Sequence, residues 1–219
     1  ENTKRVLDVG SGSGNLALKL LNLGYAVDCV IPSEFLAEQV QAKLGSNSNI
    51  HICGFEDLPL ESHYDLILFS ESFQYVKLKE SIEKISNMLS PGGHLLICDF
   101  FRRDVQGKSP MGGGHSWAGF NELMENNPFD QITALDITSE TAPTIDLLAK
   151  FNTDVVTPIA DMTGEYFLDH YPKISKLIKW KFKKRLEKIH NIYLSGSVNG
   201  ESFAKFKEYH LLVYKRNEE

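Results

Sequence analysis

No stretch of 18 apolar residues occurs in the chain, so it offers no helix able to cross a membrane. Cysteine is scarce: Cys29, Cys53 and Cys98 each sit in an apolar run, and no two are spaced as a metal-binding pair. That usage excludes a disulfide scaffold and reads as buried strand cysteines in a reducing compartment, so the cytoplasm is the expected location. Positive charge is in deficit, with 23 Lys and Arg against 29 Asp and Glu and a net charge of −6. The basic footprint of general nucleic-acid binding is therefore missing, and nucleic acid is not an expected partner. No repeat, low-complexity segment or signal peptide is visible. The chain opens almost directly on a strand, and the expectation is that a natural N-terminal segment is missing.

What is present suits a globular α/β protein. Hydrophobic residues make up 42% of 219 positions, enough for one domain with a large core and an inserted subdomain. KRVLDVG, YAVDCVI, NIHIC, YDLILFS and HLLICDFF read as five short apolar strands. Helical spacing separates them, in NLALKLLNLG, in SEFLAEQVQAKLG with Ser33 as N-cap, and in LKESIEKISNMLSPGG closed by Pro91-Gly92-Gly93. Strand and helix in alternation predict a doubly wound, mostly parallel sheet whose strand C-termini share one ligand-binding edge. After Phe101 the rhythm breaks into RRDVQGKSPMGGGHSW, a polar, Gly-rich stretch of lid length. A short helix (GFNELMENN), a strand (ITALDIT), a largely helical stretch from 140 to about 195 broken at Pro143, Pro158 and Pro172, and a last strand (FKEYHLLVYKR) follow. The organisation expected is one domain over 1–219, with a cofactor-binding half at 1–101, a lid and helical insertion at 102–200, and the final strand at 201–219.

Asp8-Val9-Gly10-Ser11-Gly12-Ser13-Gly14 lies between the first strand and helix, where glycines let backbone approach a ligand and turn sharply. A dinucleotide fingerprint would need glycine at position 15, which holds Asn15. The pattern is instead acidic-x-Gly-x-Gly-x-Gly. VLDVGSGSG resembles motif I of the class I S-adenosylmethionine-dependent methyltransferases, small-molecule type. FEDLP, YDLILFSESFQYV, LSPGGHLLICDF and YHLLVYKR resemble that family's later motifs in order and spacing. The resemblance implies a Rossmann-like seven-stranded sheet with the last strand antiparallel, S-adenosyl-L-methionine as cofactor, and methyl transfer to a small organic acceptor. Two other readings stay open: a cofactor-variant enzyme using a modified sulfonium nucleoside or non-methyl chemistry, and a non-catalytic binding protein of the same fold.

By the same resemblance, Asp8, Gly10, Ser11, Gly12 and Gly14 would cradle the methionine part of the cofactor. The acidic residue that usually grips the ribose is replaced by Ile31, which with Pro32 is expected to pack against the ribose or adenine without hydrogen-bonding the hydroxyls. Asp28 points to the opposite face of its strand and cannot stand in. Glu34, in the next helical turn, either reaches back to the ribose or complements the helix dipole. Phe55, or its N–H, and Glu56 fall where the adenine is expected, although Phe55 also reads as core. The carbonyl of Ser70 falls near the methionine amino group.

On the acceptor side, SESFQY is not the DPPY-type sequence of base methylation. Gln74 and Tyr75 occupy positions where the family keeps polar residues near the methyl. Asp99 ends the fifth strand and is a candidate base or substrate acceptor. His115 is a candidate general base because its ordinary pKa lies near neutrality. Phe100 and Trp117 suggest an apolar pocket. Finally, KISKLIKWKFKKRLEK at 173–188 carries eight basic residues and one acidic one, with Ile174, Ile178, Phe182, Leu186, Ile189 and Tyr193 as an apolar stripe. It reads either as a solvated helix with a core-facing stripe or as a docking element for an acidic partner or anionic surface.

Overall fold

A computed structural model describes residues 4–60, 63–189 and 197–218. The elements in chain order are β1 (Arg5–Val9), α1 (Asn15–Asn22), β2 (Ala26–Val30), α2 (Glu34–Leu44), β3 (Ile50–His51), β4 (Tyr64–Ser70), α3 (Leu78–Met88), β5 (Leu89–Arg102), α4 (Trp117–Glu125), β6 (Phe129–Asp136), α5 (Thr138–Phe151), α6 (Thr157–His170), α7 (Pro172–Ile189), α8 (Gly200–Phe206) and β7 (Lys207–Arg216). The seven strands form one sheet in the order β3-β2-β1-β4-β5-β7-β6. Strands β3 to β5 pair in parallel with their neighbours through β2, β1 and β4, and β6 pairs antiparallel with β7. This is the expected doubly wound, Rossmann-like sheet, and it sets the C-terminal ends of β1, β2 and β4 side by side.

The chain divides into two compact units. The first holds residues 1–104, 113–137 and 209–219; the second holds 105–112 and 138–208. In the first unit, apolar residues alternate between the two faces of the sheet. Val6, Val27, Cys29, Ile31 and Leu68 pack beneath Ala17, Ala37 and Val40 of α1 and α2. Leu7, Val9, Ile67 and Phe69 pack on the other face with Phe73, Ile82, Ile85, Phe101 and Phe120. Burial pushes the Cys29 thiol up to about 11, so it behaves as an inert core residue.

Several boundaries move from their sequence-based positions. Helix α3 ends at Met88, and Ser90-Pro91-Gly92-Gly93 falls inside β5 rather than closing the helix. The register shows why: Tyr64 pairs with Leu89 and Leu66 with His94, an advance of two residues on one strand and five on the other. Three residues are thus bulged out between two paired stretches of the same strand. β3 keeps only Ile50 and His51 of NIHIC. Pro143 lies inside α5 without ending it, whereas Pro158 and Pro172 stand at the starts of α6 and α7. Tyr193 of the expected stripe lies outside the described residues.

Asp28 is confirmed as facing away from Ile31. Its carboxylate receives hydrogen bonds from the Arg5 guanidinium at 2.9 Å, the Asn49 amide side chain at 2.8 Å and the buried Tyr64 hydroxyl at 3.0 Å. One carboxylate thereby ties β1, β2, β4 and the segment before β3. Removing it strands the Tyr64 hydroxyl and the Asn49 amide without their acceptor. Asp28→Ala is expected to destabilise the chain by about 2–4 kcal/mol. Arg5→Ala, at the half-exposed end of the same network, is expected to cost no more than about 1 kcal/mol. Urea unfolding of the two variants checks the order; equal losses would show that the charge pair and not the buried hydrogen bonds carries the effect.

Candidate active site

β1 runs apolar to Val9 and then breaks into glycines, and the backbone there does what only glycine does cheaply. Gly10, Gly12 and Gly14 have φ of 77°, 53° and 73°, all left-handed. A Cβ on Gly10 would lie 2.5 Å from the Cβ of Ser72, so the loop at the end of β1 and the one after β4 touch at van der Waals limits. The Ser72 hydroxyl closes the contact by donating to the Val9 carbonyl. Above Gly12, nothing among the described atoms lies within 4 Å of where a Cβ would sit. Helix α1 starts from Gly14 with no side-chain cap and no acidic residue in its first turn, so its leading N–H groups stay available.

Beneath this loop, Asp8 is 2% exposed, and its Oδ2 has no hydrogen-bond partner among the described residues. Burial raises its pKa to about 6, with the Ser11 hydroxyl opposing the shift. A buried carboxylate oxygen without a partner among the described residues, on the strand leading into an open glycine turn, is costly to keep. A cofactor bearing an amine or hydroxyl groups and lying along the glycines fits both features.

The ribose side is different. Ile31 is buried in the core under α2, and its N–H donates to the His51 carbonyl at 3.0 Å. Pro32 and Glu34 are exposed, and Ser33 caps α2 by accepting from the Leu36 N–H at 3.4 Å. Phe55 is buried edge-on to Phe69, with ring centroids 5.3 Å apart, so its side chain belongs to the core. Glu56 accepts from the Lys77 N–H at 2.7 Å and joins the turn at 55–57 to the start of α3.

After β4, Ser70 and Glu71 are exposed, and Glu71 alone among the described non-glycine residues has a left-handed backbone, with φ of 57°. Its N–H donates to the Cys98 carbonyl at 2.8 Å, and its Oε1 accepts from the Tyr209 hydroxyl of β7 at 2.9 Å. Burial raises the Tyr209 pKa, so the hydroxyl keeps its proton and remains the donor. Sequence reasoning missed Glu71 and Tyr209, because nothing local marks a strained glutamate or a partner 138 residues away. The nearest signal was that Glu71 ends a buried strand at the ligand edge.

Asp99, Gln74 and Phe100 come together, and His115 lies against the neighbouring Phe73. Asp99 is buried and accepts from the Gln74 N–H at 3.0 Å, the Gln74 side-chain amide at 3.3 Å and the Phe100 N–H at 2.8 Å. Burial raises its pKa, and the backbone N–H groups oppose the shift. His115 Nε2 lies 2.9 Å from the Phe73 carbonyl. A carbonyl only accepts, so Nε2 carries the hydrogen in this contact and, in the neutral ring, Nδ1 carries the lone pair. The His115 carbonyl in turn accepts from the Arg102 N–H at 2.7 Å. Trp117 stacks on His210, centroids 4.0 Å apart and 6° from parallel, against Phe101 and Phe120. Tyr75 stands apart at 80% exposure.

Comparison with known proteins agrees with this geometry. Residues 7–97 match the family described as "Methyltransferase domain". A protein of Staphylococcus carnosus described as an uncharacterized methyltransferase is 28% identical over 153 residues, 67% of this chain and 73% of that protein. Among solved structures, geranyl diphosphate C-methyltransferase from Streptomyces coelicolor, in complex with Mg2+, geranyl diphosphate and S-adenosyl-L-homocysteine, superposes with a TM-score of 0.69 at 18% identity, covering 97% of this chain and 72% of that one. The [4+2]-cyclase SpnF superposes equally, at 0.69 and 17% identity, over 100% of this chain and 76% of that one. The ordered motifs and these relatives make residues 7–97 similar to methyltransferase domains, and the sheet that carries them has the Rossmann-like fold of the solved structures.

Proposed function

We propose that the chain binds S-adenosyl-L-methionine along the β1 glycine loop and transfers its methyl group to a small, partly apolar organic acceptor. The observation that carries the reading is Asp8, buried with an unsatisfied oxygen on the strand that runs into three left-handed glycines. In this reading Asp8, Gly10, Ser11, Gly12 and Gly14 hold the methionine part, and the Ser70 carbonyl meets its amino group. The Ile31 side chain takes no part. Pro32 and the Glu34 carboxylate line the ribose side, and the Phe55 N–H with Glu56 lines the adenine side.

When bound, the cofactor would supply an electrophilic methyl on a sulfonium, whose transfer to the acceptor's nucleophile would release S-adenosylhomocysteine as the leaving thioether. The residues of this chain supply alignment and a proton acceptor. His115 presents Nδ1 for the acceptor's proton while the Phe73 carbonyl fixes the ring through Nε2. Asp99 acts as a positioning residue: three donors already occupy it, and it anchors Gln74 and the turn at 73–75 to the end of β5. Gln74 lines the acceptor side, the exposed Tyr75 does not, and Phe100 and Trp117 give it an apolar wall that favours an apolar acceptor over a highly charged one.

Calorimetric titration with S-adenosylhomocysteine tests the placement. Gly12→Leu forces a branched side chain into a left-handed position and fills the space above the loop. It is expected to weaken binding at least a hundredfold; unchanged affinity would put the cofactor elsewhere. No binding by the unaltered chain would favour a fold-retaining protein without this cofactor.

Asp8 gives a second test, with a defined sign. Its folded-state pKa lies above the unfolded value of 3.8, so burial of the charged form opposes folding. The penalty is absent at low pH, grows as pH rises from about 4 to about 6, and is complete above that. Its ceiling is about 3 kcal/mol. Asp8→Asn is therefore expected to raise the cofactor-free chain's stability at pH 8 by about 1–3 kcal/mol, to lose that advantage near pH 4, and to bind S-adenosylhomocysteine at least tenfold more weakly. Urea midpoints at both pH values and calorimetry check it; an unchanged midpoint together with unchanged affinity would sink the assignment.

A further inference from the structure

The basic helix does not bury its apolar stripe as a core-facing element would. α7 is 18 residues long, about 27 Å at 1.5 Å per residue. It carries Lys173, Lys176, Lys179, Lys181, Lys183, Lys184, Arg185 and Lys188 against the single acid Glu187. Lys183 pairs with Glu187 at 3.9 Å. The side that packs is small and polar. Among the described side chains of α7 only Ser175 is buried, and its hydroxyl donates to the Phe167 carbonyl of α6 at 2.8 Å. The stripe at i, i+4 spacing is not in a core: Ile174, Ile178, Phe182 and Leu186 are 41–54% exposed. Leu177 and Trp180 are more open still, at 59% and 78%.

A continuous apolar row on a surface helix, edged by lysines, marks an interaction site rather than scattered surface hydrophobes. We propose that α7 docks in the plane of an anionic phospholipid bilayer. Its apolar residues would enter the headgroup boundary, its lysine stems would lie along that surface with ammonium groups on the lipid phosphates, and Trp180 would sit at the interface. Charge selects this occupant. The chain's net charge is −6, yet α7 gathers eight cations against one acid, so this helix is attracted to an anionic surface while the chain's net charge opposes the approach. A second copy seated on the same face would bring two such basic helices together and repel.

Co-sedimentation of the 219-residue chain with vesicles tests this, using phosphatidylcholine with and without phosphatidylglycerol, at low and high salt. Retention is expected only with phosphatidylglycerol and at low salt, with a blue shift of tryptophan emission that is lost in Trp180→Phe. The combined variant Lys181→Glu, Lys184→Glu, Arg185→Glu should partition at least tenfold less while its urea midpoint stays unchanged. Each neutralised cation near such a surface is worth about fivefold in partitioning, the equivalent of about 1 kcal/mol. Four outcomes would each overturn the proposal: no retention at low salt, equal retention on pure phosphatidylcholine, full retention of the charge-reversed variant, or concentration-dependent dimers that shield Trp180. So would capture by an immobilised acidic protein with no capture by vesicles.

Discussion

A carboxylate buried at the end of a central strand with one oxygen unsatisfied is costly, and a chain keeps such a group only where something else repays the cost. Asp8 is that group here. It sits on β1, between parallel neighbours β2 and β4, where the sheet is most completely covered. The glycine loop above it follows from the same constraint. A side chain at Gly10 would collide with Ser72, while the space where a side chain at Gly12 would sit is open among the described residues. In the reading proposed above, a bound ligand would complete this site and offset the cost of the buried carboxylate.

Three buried aspartates show how environment divides one residue type into separate roles. Asp28 is saturated by Arg5, Asn49 and Tyr64 and holds strands together. Asp99 is saturated by Gln74 and Phe100 and holds a turn. Asp8 alone keeps an idle oxygen. Proton affinity alone does not separate them, because burial raises both Asp8 and Asp99; the hydrogen-bond census does.

The fold was legible because its signals are local. Short, continuous apolar strands, a Ser33 cap, and glycines after Val9 each announce themselves within a few residues. The opposed faces of Asp28 and Ile31 followed from strand geometry alone, and the structure bears this out. What escaped depends on distance or on tertiary choice. Glu71's left-handed backbone is held by Cys98 and Tyr209, far along the chain. Phe55 faced two ways on paper and the aromatic cluster with Phe69 decided it. The SPGG stretch reads as a helix stop, but β-pairing on both sides of it turned it into a bulge within one strand. The stripe on α7 has the periodicity of a buried face, yet periodicity says only that residues share a side, not that anything covers them.

The central claim is that Asp8 is the acceptor for a donor carried by the cofactor, and its titration tests this most directly. S-adenosylhomocysteine keeps a positively charged amino group across the range where Asp8 ionises. Calorimetric affinity measured from about pH 5 to about pH 8 should therefore rise as pH passes the Asp8 pKa of about 6 and level off above it. In Asp8→Asn the same curve should be flat. A pH-independent affinity in the unaltered chain, or an identical pH dependence in both, would contradict the account.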